Sequence, residues 1–181
     1  AQLGAMSTTN LSALNANQMA ALTETQVKGL TADQLKNLTT TDIGELTTTQ
    51  VGLLSTAQLG VITPENISAF DATQMQALTT SQIKSLSTAQ LKGLNETDMA
   101  ELTTTQVSAL SAAQIGALTA ENISALADTQ IAALANTQIQ ALNATQLKGL
   151  SISDIDELSA TQVGALSALQ VAALASTQVQ E

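Results

Sequence analysis

Two apolar columns repeat every eight residues along the chain. One runs from Leu3 to Val179 and holds only Leu, Ile, Val or Met, while the other runs from Met6 to Leu174 and is Leu at almost every step. The residue before the first column is always Gln, Asn or Asp, and the residue after the second is usually Ser, Thr, Asn or Asp. One repeat, called an octad here, therefore reads [S/T/N/D]-x-x-[Q/N/D]-[V/I/L/M]-x-x-L.

A single long helix does not fit this period. At about 100° per residue, each column drifts by about 80° around the helix axis per octad, so no apolar stripe stays on one face. This excludes a continuous coiled coil. A β-solenoid remains the alternative fold because Thr, Val and Ile favour strands, although a spacing of three then five residues places the two columns on opposite faces of a strand.

The polar positions of the octad indicate a helix start. Ser or Thr followed three residues later by Gln is typical of a capping box, and the Leu before the cap forms a hydrophobic staple with the Val or Ile four residues after it. Pro64 follows Thr63 and falls on the first helical position, where its missing N–H costs nothing. Each octad is therefore predicted to be one short helix that ends in a corner.

Helices of this length need neighbours, because nucleation is costly and they end before propagation repays it. We therefore expect an all-α solenoid with about three to four octads per coil and both apolar columns inside. The residue before each Leu is mostly small, as at Gly93 and Ala109, which allows neighbouring helices to approach closely.

A longer period of seven octads, 56 residues, lies above the octad. QLKNLTTTDIGEL at 34–46 returns in related form at 90–102 and 146–158. The sequence predicts one octapeptide-repeat solenoid over residues 1–181, as a fragment of a longer array. Self-association is then expected through exposed ends that carry the apolar residues Leu3, Met6, Val171, Leu174 and Val179.

Composition removes most chemistry from consideration. The chain has no Cys, His, Arg, Trp or Tyr, so it lacks the usual proton-transfer, nucleophilic and anion-holding groups, and we expect no enzyme activity and no cofactor. A net charge of −10 opposes binding to nucleic acid. No apolar run approaches the length of a membrane span, so no membrane insertion is expected.

Three carboxylate pairs are weak candidates for a calcium site. Each pair has i, i+3 spacing, which places both carboxylates on one helix face, and calcium prefers oxygen ligands. In the alternative interpretation, the Asp replaces the capping-box Gln near a helix N-terminus and the Glu is solvated or paired with a Lys. The pairs are Asp42 with Glu45, Asp98 with Glu101, and Asp154 with Glu157.

The phrase L-[S/T]-x-x-Q-[V/I]-x-x-L resembles the octapeptide arrays of some very large bacterial secreted or cell-surface proteins, described as haemagglutinin-like or repeats-in-toxin-like. The resemblance covers the whole chain and implies a non-catalytic spacer or scaffold in an extracellular or cell-surface location. One alternative is a protein-binding or adhesion module that uses a face or an end of the solenoid. A minor alternative is binding to ice or another surface through Thr-rich faces, such as residues 39–41 and 47–49.

Overall fold

A computed structural model describes residues 3–174 of the chain, and within that range every regular element is helical. The all-α prediction is therefore confirmed, and the β-solenoid alternative is wrong. The chain divides into two compact units, residues 1–93 and 94–181. Each unit is a solenoid-like array of short helices.

Unit 1 opens with a 3-10 turn and continues with eleven α-helices, α1 to α11. Their bounds are Leu3–Ala5 for the turn, then Thr8–Leu11, Ala16–Ala20, Glu24–Lys28, Ala32–Lys36, Thr40–Gly44, Thr48–Leu53, Thr56–Leu59, Pro64–Ile67, Ala72–Ala77, Thr80–Ser85 and Thr88–Lys92.

Unit 2 contains ten described α-helices, α12 to α21. Their bounds are Glu96–Glu101, Thr104–Ala109, Ala112–Ala117, Ala120–Ser124, Asp128–Ala132, Asn136–Ala141, Ala144–Gly149, Ile152–Asp156, Ala160–Ala165 and Ala168–Leu174.

The corner between successive helices is made by extended backbone at the cap residue. Thr47, which precedes α6, has φ −71° and ψ 157°, and the cap that precedes α10 is nearly identical. Throughout residues 3–174 no residue has a positive φ. The corners therefore need no glycine, which explains why glycines do not recur at one fixed position of the octad.

Hydrogen bonds at the cap start each helix. At α10 the Thr79 hydroxyl accepts from the Gln82 backbone N–H at 3.2 Å, and Gln82 Oε1 accepts from the Thr79 N–H at 2.7 Å. Pro64 occupies the first position of α8 after the cap Thr63, as predicted. Ala127 and Ala135 have no side-chain acceptor, so α16 and α17 keep only the second bond, to the Gln side chain.

Within each unit, helices pack against the helix three places later along the chain. This matches the prediction of three to four octads per coil. The pairs in unit 1 are α1 with α4, α3 with α6, α5 with α8, α6 with α9, α7 with α10 and α8 with α11. The pairs in unit 2 are α12 with α15, α13 with α16, α14 with α17, α15 with α18, α16 with α19, α17 with α20 and α18 with α21.

Both apolar columns form the core of each unit. Val51, Ile83 and Ile115 are completely buried, and the neighbouring Leu residues are nearly so. Glycine allows close approach at one contact in particular, because a methyl group at Gly93 would come within 2.6 Å of Pro64 Cβ. The predicted role of the small residues before Leu is confirmed at this position.

At the ends of the described range, the expectation of exposed apolar residues is confirmed for Val171 and wrong for Leu3 and Leu174. Leu3 and Leu174 are buried, so the prediction was wrong for both, because other residues of the array cover them. Met6 is half-buried, and Val171 is 49% exposed. Val179 lies outside the described residues. Among residues 3–174, no helix has the length and apolar character needed to cross a membrane.

Candidate functional site

The Gln, Asn or Asp three residues after each cap is buried through most of the chain. Gln82 is 3% exposed although its side chain is fully polar. A buried amide needs partners for its oxygen and for its two N–H groups. The capping bond accounts for the oxygen alone.

The side-chain nitrogen of Gln82 binds backbone carbonyls of an earlier helix. Its Nε2 donates to the carbonyl oxygens of Val51 and Leu54, each at 2.9 Å. These carbonyls belong to the C-terminal end of α6, 31 and 28 residues earlier. One side chain therefore starts its own helix and also fastens that helix to the end of a helix in the preceding coil.

The same link recurs in both units, and we call the set of linking side chains the amide ladder. Each member donates to carbonyls of residues lying 28 to 31 positions earlier, and the 28-residue bond is present at every member. An offset of 28 residues is three and a half octads, half of the 56-residue super-repeat. Members include Gln34, Gln50, Gln58, Asn66, Gln74, Gln82 and Gln90 in unit 1, and Asn122, Gln130, Gln138, Gln146, Gln162 and Gln170 in unit 2.

Asparagine makes a shorter version of the link. Asn66 Nδ2 donates to Leu38 O at 2.6 Å, and Asn122 Nδ2 donates to Leu94 O at 2.8 Å, in both cases 28 residues earlier. The Asn side chain has one methylene fewer than Gln. Its amide consequently makes one of the two bonds that a typical glutamine makes.

Aspartate keeps the cap but has no amide to donate to the preceding coil; Asp42 instead accepts from Ser12, 30 residues earlier. Asp42 Oδ2 accepts from the Thr39 N–H at 2.7 Å and from the hydroxyl of Ser12, and Asp154 Oδ2 accepts from the Ser151 N–H at 2.7 Å. An ionised carboxylate is acceptor-only. At these two buried positions the carboxylate therefore supplies no side-chain amide to the carbonyls of the preceding coil.

The ladder was not predicted from the sequence, although the residue types contained a signal. A capping box accepts Glu as readily as Gln at this position. Across the whole chain the column contains Gln, Asn and Asp but never Glu. Exclusion of Glu from so many capping boxes indicates that the amide nitrogen is needed for a second purpose.

The six candidate calcium ligands are not arranged as a metal cluster. Asp42, Asp98 and Asp154 are buried in the ladder column. Of their partners, Glu45 and Glu101 are half-buried and Glu157 is exposed, while Glu45 Oε2 is buried without a hydrogen bond. No group of three or more acidic side chains within residues 3–174 is placed to hold a metal ion. Calcium binding stays a prediction.

A polar cleft of about 550 Å³ lies in unit 2 between the starts of α12 and α15. Glu96, Thr97, Thr119 and Glu121 are among its lining residues. The backbone N–H of Glu121 and the Thr119 hydroxyl lower the pKa of the Glu121 carboxyl. The cleft therefore presents carboxylate and hydroxyl groups to solvent, with no aromatic side chain in its lining.

The first ladder positions of unit 1 make no inter-coil bond within the described residues. Asn10 and Gln18 are exposed and Gln26 is half-buried, and their side-chain nitrogens make no bond to an earlier coil within the described range. Met6, Leu14 and Leu22, from the Leu column, are half-buried here instead of buried. We call these six residues the leading edge.

In the last described octads of unit 2, the exposed apolar residues belong to the other column, and it is carbonyl groups that lack side-chain partners. Here the Leu column stays mostly buried, whereas Val163 and Val171, from the other apolar column, are 46% and 49% exposed. The carbonyls of Ile155, Leu158, Val163, Leu166, Val171 and Leu174 occupy ladder-acceptor positions, and none receives a side-chain amide within residues 3–174. We call these six residues the trailing edge.

Comparison with known proteins identifies a family for the repeat. No curated protein matches the chain. The family model described as the ALTTAQ repeat matches residues 1–32, 67–104 and 94–128, which together make up just over half of the sequence. The chain is thus a repeat array, and it belongs to the ALTTAQ repeat family.

Proposed function

We propose that this chain is a non-catalytic structural module that acts as a scaffold or spacer within a large extracellular bacterial protein. The observation that carries the proposal is the amide ladder. Nearly all of the buried polar side chains belong to the ladder column, where they cap helices and link coils. Within residues 3–174, the polar groups of the interior are therefore occupied almost entirely by the helical framework itself.

The ladder also suits an array whose length can vary. Each link joins only octads of adjacent coils, so stability is approximately a sum of local terms, as in other repeat proteins. The exposed positions of the octad are mostly small or hydroxylic, as at Thr48 and Thr104. Such a surface is suited to separating other domains more than to recognising a partner. The extracellular location rests on the resemblance to octapeptide arrays alone.

The spacer proposal can be tested by lengthening the array by one super-repeat. A variant that duplicates residues 35–90 keeps every column and every ladder offset in register. We expect small-angle scattering to show a larger maximum dimension and circular dichroism to show unchanged helicity per residue. The temperature midpoint of unfolding should not fall.

A matched control inserts a flexible Gly/Ser segment of the same length at the same point. This insertion should lower the helicity per residue and leave the midpoint unimproved. If the duplicated block behaves like the flexible segment, the octads do not form a self-supporting spacer and the proposal is wrong.

A further inference from the structure

Sequons of the form Asn-x-Ser/Thr, in which x is not Pro, recur along the chain. This is the acceptor motif for N-linked glycosylation, in which the side-chain nitrogen of the Asn receives a sugar. Most of the asparagines begin such a sequon, and these asparagines fall in three different columns of the octad. The sequons begin at Asn10, Asn37, Asn66, Asn95, Asn122 and Asn143.

Sequons that begin in the ladder column are closed to an enzyme in the folded protein. Asn66 and Asn122 are 5% and 3% exposed, and each side-chain nitrogen donates to a carbonyl of the preceding coil. A sugar on either nitrogen would have to lie inside the protein and would disrupt the link. In the sequon of Asn10, the Ser12 hydroxyl already donates to Asp42.

Sequons that begin in the cap column have both of their essential side chains on the surface. Asn143 and Thr145 are exposed. Asn143 Oδ1 accepts from the backbone N–H groups of Thr145 and Gln146, at 2.9 and 3.0 Å, and so caps α18. Glycosylation replaces one hydrogen of the amide nitrogen and leaves this oxygen able to accept. A sugar on Asn143 is therefore compatible with the helix cap.

The second sequon of the cap column lies beside open space. Asn95 and Thr97 are exposed, and both line the polar cleft of about 550 Å³ between the starts of α12 and α15. Asn95 Oδ1 caps α12 by accepting from the Asp98 backbone N–H at 3.1 Å. As at Asn143, the cap uses the oxygen that glycosylation leaves unchanged.

One sequon of unit 1 is also on the surface, at the corner between α4 and α5. Asn37 and Thr39 are exposed. Asn37 Nδ2 donates to Asp33 O at 2.7 Å. A glycosylated asparagine keeps one N–H on this nitrogen, so the bond to Asp33 can be kept.

We propose that Asn37, Asn95 and Asn143 are acceptor sites for N-linked glycosylation. The donor is a sugar activated by a diphosphate at its anomeric carbon, carried on either a nucleotide or a lipid. The asparagine nitrogen forms a bond to the anomeric carbon and loses one proton. The bond from that carbon to the diphosphate oxygen breaks, and its electron pair leaves with the diphosphate. The proposal goes beyond the scaffold function and does not depend on it.

Acceptor assays with two purified asparagine glycosyltransferases test the proposal and distinguish the donors. One enzyme is soluble and uses a nucleotide-activated hexose, and the other is membrane-bound and uses a lipid-linked oligosaccharide. Each is applied to the folded chain. Synthetic peptides of residues 62–70 and 139–147 establish that the enzyme accepts a ladder sequon and a cap sequon when neither is folded.

Mass spectrometry locates and quantifies the attached sugar. With at least one of the two enzymes, we expect modification of the folded chain at Asn37, Asn95 and Asn143. Asn66 and Asn122 should stay unmodified, because their side chains are buried. These two residues are internal controls with the same motif in the same molecule.

Variants of one hydroxyl test whether the motif itself is recognised. Thr145→Ala keeps the Asn143 cap but should lower modification of Asn143 at least about a hundredfold, since a site built to bind a hydroxyl rejects a side chain that lacks it. Thr145→Ser should retain the modification. Thr105→Ala removes an exposed hydroxyl at the same octad position, after the cap Thr103, and should have no effect on Asn143. Circular dichroism verifies the fold of each variant.

Two outcomes would overturn the proposal. One is a folded chain that neither enzyme modifies although both peptides are modified. The other is modification of Asn66 and Asn122 to the same extent as Asn95 and Asn143, which would show that octad position does not control access. Neither outcome affects the block-duplication test of the scaffold function.

Discussion

Gln82 and Asp42 occupy the same position of their octads and are equally buried, but they contact the preceding coil through different groups. Both accept the cap N–H, at 2.7 Å in each case. Gln82 also donates to two carbonyls of the preceding coil, whereas Asp42 receives the Ser12 hydroxyl. Both side chains therefore start a helix in the same way, and the residue type decides how the preceding coil is contacted: Gln82 donates to backbone carbonyls, whereas Asp42 accepts from a side-chain hydroxyl.

The largest loss of stability should come from replacing a buried ladder glutamine by glutamate. Gln82→Glu keeps the cap acceptor but buries a charge against the carbonyls of Val51 and Leu54. We expect a loss of roughly 3 to 5 kcal/mol in the free energy of unfolding, typical of an uncompensated buried charge. Urea denaturation measures it. Gln18→Glu, at an exposed position, is the matched control and should change stability by less than about 0.5 kcal/mol.

Truncating a core leucine should lower the free energy of unfolding by a similar amount in an aspartate octad and in a glutamine octad. Leu46 belongs to the octad of Asp42 and Leu86 to that of Gln82, and the two side chains are equally buried. Changing either to Ala should cost about 2 to 5 kcal/mol in the same denaturation experiment. Thr48→Ala, on the surface, should stay within about 0.5 kcal/mol. A much smaller cost at Leu46 would mean that the apolar packing of aspartate octads is also weaker.

Converting an aspartate octad to a glutamine octad should stabilise the protein. In Asp42→Gln the new Nε2 is in register with the carbonyls of Leu11 and Leu14, and each added bond should contribute about 0.5 to 1.5 kcal/mol. Asp154→Gln repeats the test in unit 2. Asp33→Gln removes the same charge at an exposed site and serves as the control. Destabilisation by the first two changes would show that the Ser12 and cap contacts make the carboxylate preferable.

The smallest expected change in stability comes from removing a helix-capping side chain that is not itself part of the amide ladder. Asp71 caps α9, and the Gln74 backbone N–H, followed by the Thr73 hydroxyl, lowers the pKa of its carboxyl. Because the folded pKa is depressed, the stabilisation is present above the usual value of 3.8 and is lost as pH falls through the folded value. The stability difference between wild type and Asp71→Ala, about 1 kcal/mol at neutral pH, should therefore shrink on acidification. A difference that is constant with pH would contradict this.

The local structure could be predicted from the sequence because its causes are local. A cap, a Gln at the third helical position and flanking apolar residues specify where each helix starts, and Pro64 marks the register independently. The ladder acceptors could not be predicted in the same way. They depend on the angle that the chain turns at each corner, and a few degrees at a residue such as Thr47 change which earlier octad lies opposite.

Which apolar residues are exposed at the two edges could be predicted only in part, because this also depends on the coil geometry. The sequence indicates which residues are apolar, but it does not show which column faces the preceding coil. Leu3 and Leu174 were expected to be exposed and are buried, whereas Val171 is exposed as expected. Exposure of Val163, Leu169 and Ile152 was not predicted. That direction follows from the coil geometry.

The most direct test of the account is nuclear magnetic resonance of the glutamine side-chain amides. The account predicts nuclear Overhauser effects from the Gln82 amide protons to residues 51–54, together with slow exchange of those protons with solvent. The Gln18 amide protons should exchange rapidly, because this side chain is exposed. Rapid exchange at Gln82, or contacts to a segment at a different offset, would contradict the claim that this side chain links coils 28 residues apart.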